Sequence, residues 1–498
     1  MKYWFLLVLL WAGSREEGWA QRLSYTIKAD KHLPNALRVA LTYDTADTTA
    51  TVFHYANDNW GETALGACLL NVQANVPVQR KTVGDWVVLT VQHRPRQRVH
   101  LTYCVRPDRT DTLRQERVSR PIMEQGYFHL YGFGLFVQPT RYWTTAEAQQ
   151  RVRVRWHLPS DWQLLTSLAP QTARSIVVKG PASMLKNSVF VGGALQVRKL
   201  LVGAAPVWFA TRPYQSLALD SVARHLQLAL QAQRAFWRDA SRASFAVTLL
   251  PTYERQSIDP HRRRVKILGN AVLNSFSAFA TDADNAGPQT AERVDYLFFH
   301  ELMHQWLGNQ IRIRNAEQQY WFSEGFTEYF QTQLRLRTHV LTSAQYVQEL
   351  NQDFVGALYR SPVRNVPNDS ITYHHFWTSQ DYQKLPYRRG FLFALYLDLQ
   401  LKQTTSQSLA DCMRVMLARS YTMNKQGFTD PDLLALIREV TGFDPSTVYE
   451  RYIQQGQFID FTQVALPPGL RIQPTTDHIP LFELTPTQQE EFYQFIVR

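Results

Sequence analysis

The sequence predicts a multidomain α+β protein: an N-terminal antiparallel β domain followed by a mostly helical domain. Three observations carry that reading. A chain of 498 residues is too long for one ordinary hydrophobic core. From about residue 21 to 200 its apolar residues recur with period two. After about residue 210 the period lengthens to that of a helix.

The strand-like part is clearest where Leu37, Val39, Leu41 and Tyr43 alternate with other residues. Val99, Leu101, Tyr103 and Val105 repeat the pattern, as do Val152, Val154, Trp156 and Leu158. Alternation turns one face of each strand to a core and the other to solvent. His and Arg fall mostly on the outward positions, where a structural role suffices. This predicts a β-sandwich-like domain over 21–205. Residues 217–240 then read as a helix with Leu217, Val222, Leu226, Leu230 and Phe236 on its apolar positions. A buried strand over 245–250 ends at Pro251. Further helices are predicted near 290–307, 324–337, 343–357, 388–402, 408–420 and 430–441, with Gly308 and Gly442 where C-caps stand. These place a second domain over 206–460. Residues 461–498, Pro- and Thr-rich and then helical, read as a tail packing on the body.

A content of 45% hydrophobic and 19% charged residues excludes wholesale disorder. The formal charge of +11, from 53 Lys and Arg against 42 Asp and Glu, would permit an anionic partner. The basic residues are scattered, however. Their densest run, His261 to Arg264, is short and reads as a solvated loop, so no nucleic-acid partner is expected. Residues 1–20 read as an export signal: Lys2, the apolar run Tyr3 to Trp11, then Gly18-Trp19-Ala20 at a cleavage site. That run is too short to cross a bilayer, and no later segment reaches eighteen apolar residues. A periplasmic or extracellular protein without a membrane span is therefore expected. Cys68 and Cys104 are available to pair, whereas Cys412 falls among Leu409, Met413, Met416 and Leu417 at helical spacing and reads as core. No Cys-x-x-Cys exists, which argues against a thiolate metal site. Nothing in the pattern fixes the oligomeric state.

The chemistry concentrates in two segments. His300-Glu301-Leu302-Met303-His304 places two imidazoles one turn apart on one helix face, with Glu301 beside the first. The apolar Tyr296 to Phe299 would bury that helix. Trp321-Phe322-Ser323-Glu324-Gly325-Phe326 follows, with Ser323 a plausible N-cap and Glu324 in the first turn of a new helix. A carboxylate from a second helix completes a His2Glu set for one zinc ion and leaves a fourth position for water. Glu328, four residues on, either supports a ligand His or is a solvent-exposed helix Glu.

The stretch HELMHQWLGN at 300–309, together with WFSEGF at 321–326, resembles the gluzincin metallopeptidase superfamily, in particular the glycyl aminopeptidase and aminopeptidase N families. Tyr387-Arg388-Arg389-Gly390, ahead of a long apolar helix, is similar to the segment whose Tyr stabilises the oxyanion in those families. Residues 128–139 and 152–168 resemble the β domain of the glycyl family. The resemblance implies a thermolysin-like zinc peptidase domain over 206–460, with His300, His304 and Glu324 as metal ligands. It further implies Glu301 as general base acting on a metal-activated water, Tyr387 as oxyanion donor, and a peptide or protein substrate. The departures are specific. Nineteen residues separate His304 from Glu324, one more than is typical of aminopeptidase N, and only 38 residues follow position 460. Gly269 to Leu273 stands where these families carry a Glu that grips the substrate's amino terminus, and it holds no acid. Asn270, Asn274, Asp282, Asp284 and Glu328 are the candidate substitutes. The expected function is thus an aminopeptidase-like zinc peptidase of open end specificity. A catalytically weak binding or assembly module and a zinc ester or epoxide hydrolase are the alternatives. His374 and His375 read as surface residues.

Overall fold

The period-two segments form three sheets in the computed structural model. It describes residues 22–498 except 30–34, 61, 109–118, 125, 146–147, 170–172, 204, 213–218, 241–243, 252–266, 273, 281–287, 315, 423–426 and 478. The export signal over 1–20, the basic run His261 to Arg264, and Asp282 and Asp284 lie outside the described residues. A six-stranded sheet runs in the order Ser175–Pro181, Gln149–His157, Leu23–Ala29, Leu37–Asp44, Arg98–Val105, Leu69–Ala74. Arg151, Arg153 and Arg155 point to solvent while Val152, Val154 and Trp156 are buried, as the alternation requires. Two four-stranded sheets complete the domain.

The structure departs from a purely antiparallel domain at one place. Leu23–Ala29 pairs in parallel with Gln149–His157 on one edge and antiparallel with the strand that follows it on the other. Cys68 and Cys104 are both buried and both free.

A five-stranded sheet, Gln196–Val202, Ala205–Thr211, Phe245–Pro251, Ser275–Ala280, Ile267–Val272, joins the two halves. Its first strand was expected in the β domain, but it forms a hairpin with Ala205–Thr211, so the sheet begins before residue 206. Both faces of this sheet are buried. Val207, Val247, Leu249 and Phe276 belong to the helical core. Ala210, Ala246, Leu250 and Phe279 belong to the β-domain core. His129 is an exception to outward-facing His: it is fully buried and meets Ser277 Oγ across this interface at 2.8 Å.

The helices lie at Leu219–Trp237, Pro288–Met303, Ala316–Ser323, Gly325–Arg337, Ser343–Glu349, Gln380–Thr404, Leu409–Ser420 and Asp430–Thr441, with shorter turns between them. Gly442 is a left-handed C-cap as expected, with φ of 77°. Gly308 is not, because the helix stops at Met303. Its φ of 103° instead serves a turn in which its N–H meets the Ile311 carbonyl at 3.0 Å. The helix expected at 388 begins eight residues earlier and holds Pro386 within it. A π-turn over Leu350–Val355 interrupts the one expected over 343–357. The tail adds a hairpin, Leu470–Pro474 with Pro480–Leu484, before its helix Gln489–Val497. Asn351 holds that hairpin through the Phe482 carbonyl at 2.7 Å. No helix of the described residues is long and apolar enough to cross a membrane.

One crossing positions the site. The helices Gly325–Arg337 and Gln380–Thr404 touch backbone to backbone at Gly325 and Gly390. A β-carbon on Gly390 would lie 1.9 Å from the Trp321 carbonyl oxygen, and one on Gly325 2.4 Å from Gly390 Cα. Both clashes are with backbone, which has nowhere to go. Gly390→Ala should therefore cost about 1–3 kcal/mol or more through overpacking. Thermal unfolding checks this: a melting temperature within about one degree of the parent would show that the crossing relaxes freely.

Candidate metal centre

His300 lies in the last turn of the helix Pro288–Met303, and His304 sits just past its end. The apolar face that buries this helix (Leu297, Phe298, Phe299, Leu302 and Met303) fixes the direction of both imidazoles. His304 Nδ1 faces the Leu307 carbonyl at 3.1 Å, which assigns its proton to Nδ1 and leaves Nε2 as a donor. His300 Nδ1 lies 3.4 Å from Glu328 Oε1, so its Nε2 is directed the same way.

Glu324 reaches the same point, but not as the sequence suggested. Ser323 is no N-cap: it is the last residue of Ala316–Ser323. Glu324 has helical angles of φ −89° and ψ −46°. Its N–H meets the Tyr320 carbonyl, and its carbonyl accepts from Glu328, each at 2.9 Å. The two segments are almost one helix, because Trp321, Phe322 and Phe326 are buried on either side of Glu324. Gly325 reads as a break, yet it serves the close crossing with Gly390.

The three donor atoms form a nearly equilateral triangle. His300 Nε2 is 3.3 Å from His304 Nε2 and 3.4 Å from Glu324 Oε2, and His304 Nε2 is 3.3 Å from Glu324 Oε2. An ion bound tetrahedrally at zinc's bond lengths of roughly 2.0–2.1 Å has donors about 3.3 Å apart. Glu324 Oε2 is buried and has no hydrogen-bond partner, which fits an oxygen reserved for a cation. Among the described residues these three form the one group of His, Cys, Asp or Glu close enough to hold a metal.

The surroundings favour positive charge. Burial opposes charging of His300 and His304, but the nearby glutamates outweigh it and raise both. Burial likewise opposes ionisation of Glu324, yet the two imidazoles hold its carboxyl well below the usual range. Glu301 is raised by burial, against the pull of His300 and His304, toward the range where a carboxylate exchanges protons readily. Tyr387 stacks on His300, with ring centroids 6.1 Å apart and planes 12° apart. Burial, then Glu324 and Glu301, raise its phenol well above the ordinary value, so it is a donor.

Glu328 is not a solvent-exposed residue; it is 3% exposed. Besides its 3.4 Å approach to His300 Nδ1, it accepts from Tyr296 Oη at 2.5 Å and from Gln331 Nε2 at 3.0 Å. With its oxygens engaged behind His300 it is no free anchor for a substrate. Tyr296 and Gln331 were missed in the sequence. Spacing could have found both, since Tyr296 precedes His300 by four residues and Gln331 follows Glu328 by three. His374 lies on the surface of the short helix Tyr373–Thr378, and the partly buried His375 faces the Ser370 carbonyl at 2.9 Å. Glu328→Gln keeps the shape but weakens the carboxylate's hold on His300. Affinity for a divalent ion, measured by competition with a chelator, should fall about 10–100-fold; unchanged affinity would remove Glu328 from the site's support.

Residues 269–452 match the peptidase family M1 domain. The fold is similar to that of an aminopeptidase N family protein from Idiomarina loihiensis, with a TM-score of 0.72 and 16% identity, over 91% of this chain and 79% of that one. It is also similar to an M1 zinc metallopeptidase from Deinococcus radiodurans, at TM-score 0.54 and 15% identity over 89% and 95%. A variant of the latter, matching equally well, carries a bound Tyr-Ser-Ala substrate. Residues 269–452 thus match a peptidase family M1 domain, within a chain that shares the fold of an aminopeptidase N family protein.

Proposed function

We propose that this protein is a zinc-dependent peptidase in which His300, His304 and Glu324 hold one zinc ion. The observation that carries the reading is the triangle of donor atoms with edges of 3.3–3.4 Å, flanked by Glu301 and Tyr387. The similarity to a Deinococcus zinc metallopeptidase, a variant of which binds a Tyr-Ser-Ala substrate, supports it. A zinc ion in this place would act as a Lewis acid toward a carbonyl oxygen and toward water. Glu301 takes a proton from the attacking water and passes it to the leaving amine. Tyr387 donates to the oxygen of the tetrahedral intermediate, a contact that strengthens as charge develops there. The N-terminal apolar run supports export as the protein's route to its place of work.

Dialysed protein should hold one zinc per chain by elemental analysis, and His304→Ala should lose it. Glu301→Gln should keep the zinc and the fold while peptide turnover falls by about 10²–10⁴-fold. Turnover within a few-fold of the parent would rule out Glu301 as the base.

End specificity is the finer part of the proposal. Ile267–Val272 is the edge strand of its sheet and packs beside the His300 helix, so an extended peptide can add to it. A buried ammonium on that peptide needs a counter-charge, and Gly269 to Asn274 supplies none. We infer weakened dependence on a free amino terminus, with some internal cleavage. A peptide and its N-acetylated twin should therefore have similar kcat/KM. A preference for the free amine of about a hundredfold, ~2.7 kcal/mol, would show that an anchoring carboxylate exists.

A further inference from the structure

One cation beside the proposed oxyanion donor has no ionic partner among the described residues. Lys384 lies on the same helix as Tyr387, three residues earlier and so on the same face. Its Nζ is 4.8 Å from the centre of the Tyr387 ring. Among the described residues no carboxylate lies within ion-pair reach of it. Glu328 feels its field but is engaged behind His300. The side chain is partly buried, with its ammonium over the Tyr387 ring. A partly desolvated ammonium with no counter-ion is costly to keep unless something pairs with it.

Geometry limits what that something is. Residues of an extended peptide are about 3.3 Å apart, so the ammonium commands positions within roughly two residues of the carbonyl that Tyr387 serves. The edge strand beside the His300 helix carries no acid over Gly269 to Asn274. A cation beside Tyr387 and a neutral strand suit a substrate anion better than a substrate ammonium.

We propose that Lys384 is a specificity-determining residue that pairs with a substrate carboxylate close to the scissile bond. This rests on the peptidase reading above and deepens it. The carboxylate has two sources: the free C-terminus of a short peptide, or the side chain of an Asp or Glu next to the cleavage point. Either gives the same charge-assisted contact.

Two pairs of twin peptides test it, one differing in a terminal acid or amide, the other in Asp or Asn beside the cleaved bond. The parent should favour the carboxylate member of at least one pair by about fivefold or more in kcat/KM, and less at high salt. Lys384→Met should bring that ratio close to one, and Lys384→Arg should retain it, which a merely structural lysine would not do. Preference in the first pair alone identifies the terminal carboxylate, and in the second alone an acidic side chain. Equal rates for both twins of both pairs in the parent, or a ratio that survives Lys384→Met, would overturn the inference. If the parent cleaves none of the four peptides, the peptidase reading falls instead. Lys384 is then judged by calorimetric Kd on the same protein: tighter binding of the acid twins, lost in Lys384→Met, supports it, and equal Kd overturns it.

Discussion

The contact between Gly325 and Gly390 is the constraint on which the site depends. Two helices approach there until the backbone of one meets the backbone of the other. Glu324 precedes Gly325 by one residue and Tyr387 precedes Gly390 by three, so the crossing sets their separation directly. The proposed metal ligand and oxyanion donor would have to be placed to within about half an ångström, and contact between rigid elements achieves that better than loops do. The crossing is closed from outside by large buried rings, with Trp321 against Phe326 and Phe393. Glycine in a helix costs roughly 0.5–1 kcal/mol relative to alanine, and here two are retained where side chains cannot fit.

A second layer turns this scaffold into a ligand set. An imidazole has two nitrogens, and a metal needs the correct one presented. The Leu307 carbonyl orients His304, and Glu328 orients His300. Glu328 is itself held by Tyr296 and Gln331. Each of these residues lies on the helix or turn that carries a ligand, so the orientation travels with the fold. Arg389 extends the logic one residue past Arg388 in the Tyr387 segment. It is 2% exposed and donates to the carbonyls of Arg364 and Val366 at 3.0 and 2.8 Å, tying the tyrosine's helix to the preceding loop.

Local periodicity and spacing made much of this legible. The alternation at Val152, Val154 and Trp156 reproduces the observed burial residue by residue, because a strand's side-chain period is two and any slip would expose the core. His300 and His304 were legible because two donors for one ion need helical spacing, with Glu301 beside the first, and Glu324 because a third donor must come from a following segment. What stayed hidden depended on contacts between distant segments. Ser323-Glu324-Gly325 reads locally as a cap and a break. Only the partner helix, with Gly390 some sixty-five residues away, shows that the glycine is there for closeness. The parallel pairing of Leu23–Ala29 with Gln149–His157, and the hairpin that carries Gln196–Val202 into the second sheet, are likewise facts of assembly that no single strand encodes.

The same assembly decides where a substrate can bind. The five-stranded sheet is closed on one face by the helical core and on the other by the β domain, where His129 meets Ser277. Burial pushes the His129 imidazole down to about 3, so it stays neutral, and the contact survives without a buried charge. With both faces occupied, the sheet offers a peptide its edge, the strand Ile267–Val272 beside the His300 helix. On the proposed peptidase reading, a peptide lying along that edge would meet the strand's backbone, while Lys384 and Tyr387 stand together on a separate helix. An edge strand supplies backbone hydrogen bonds that are indifferent to side chains. Discrimination between substrates would then fall to the few side chains within reach, and charge counts for most on those that burial withdraws from water.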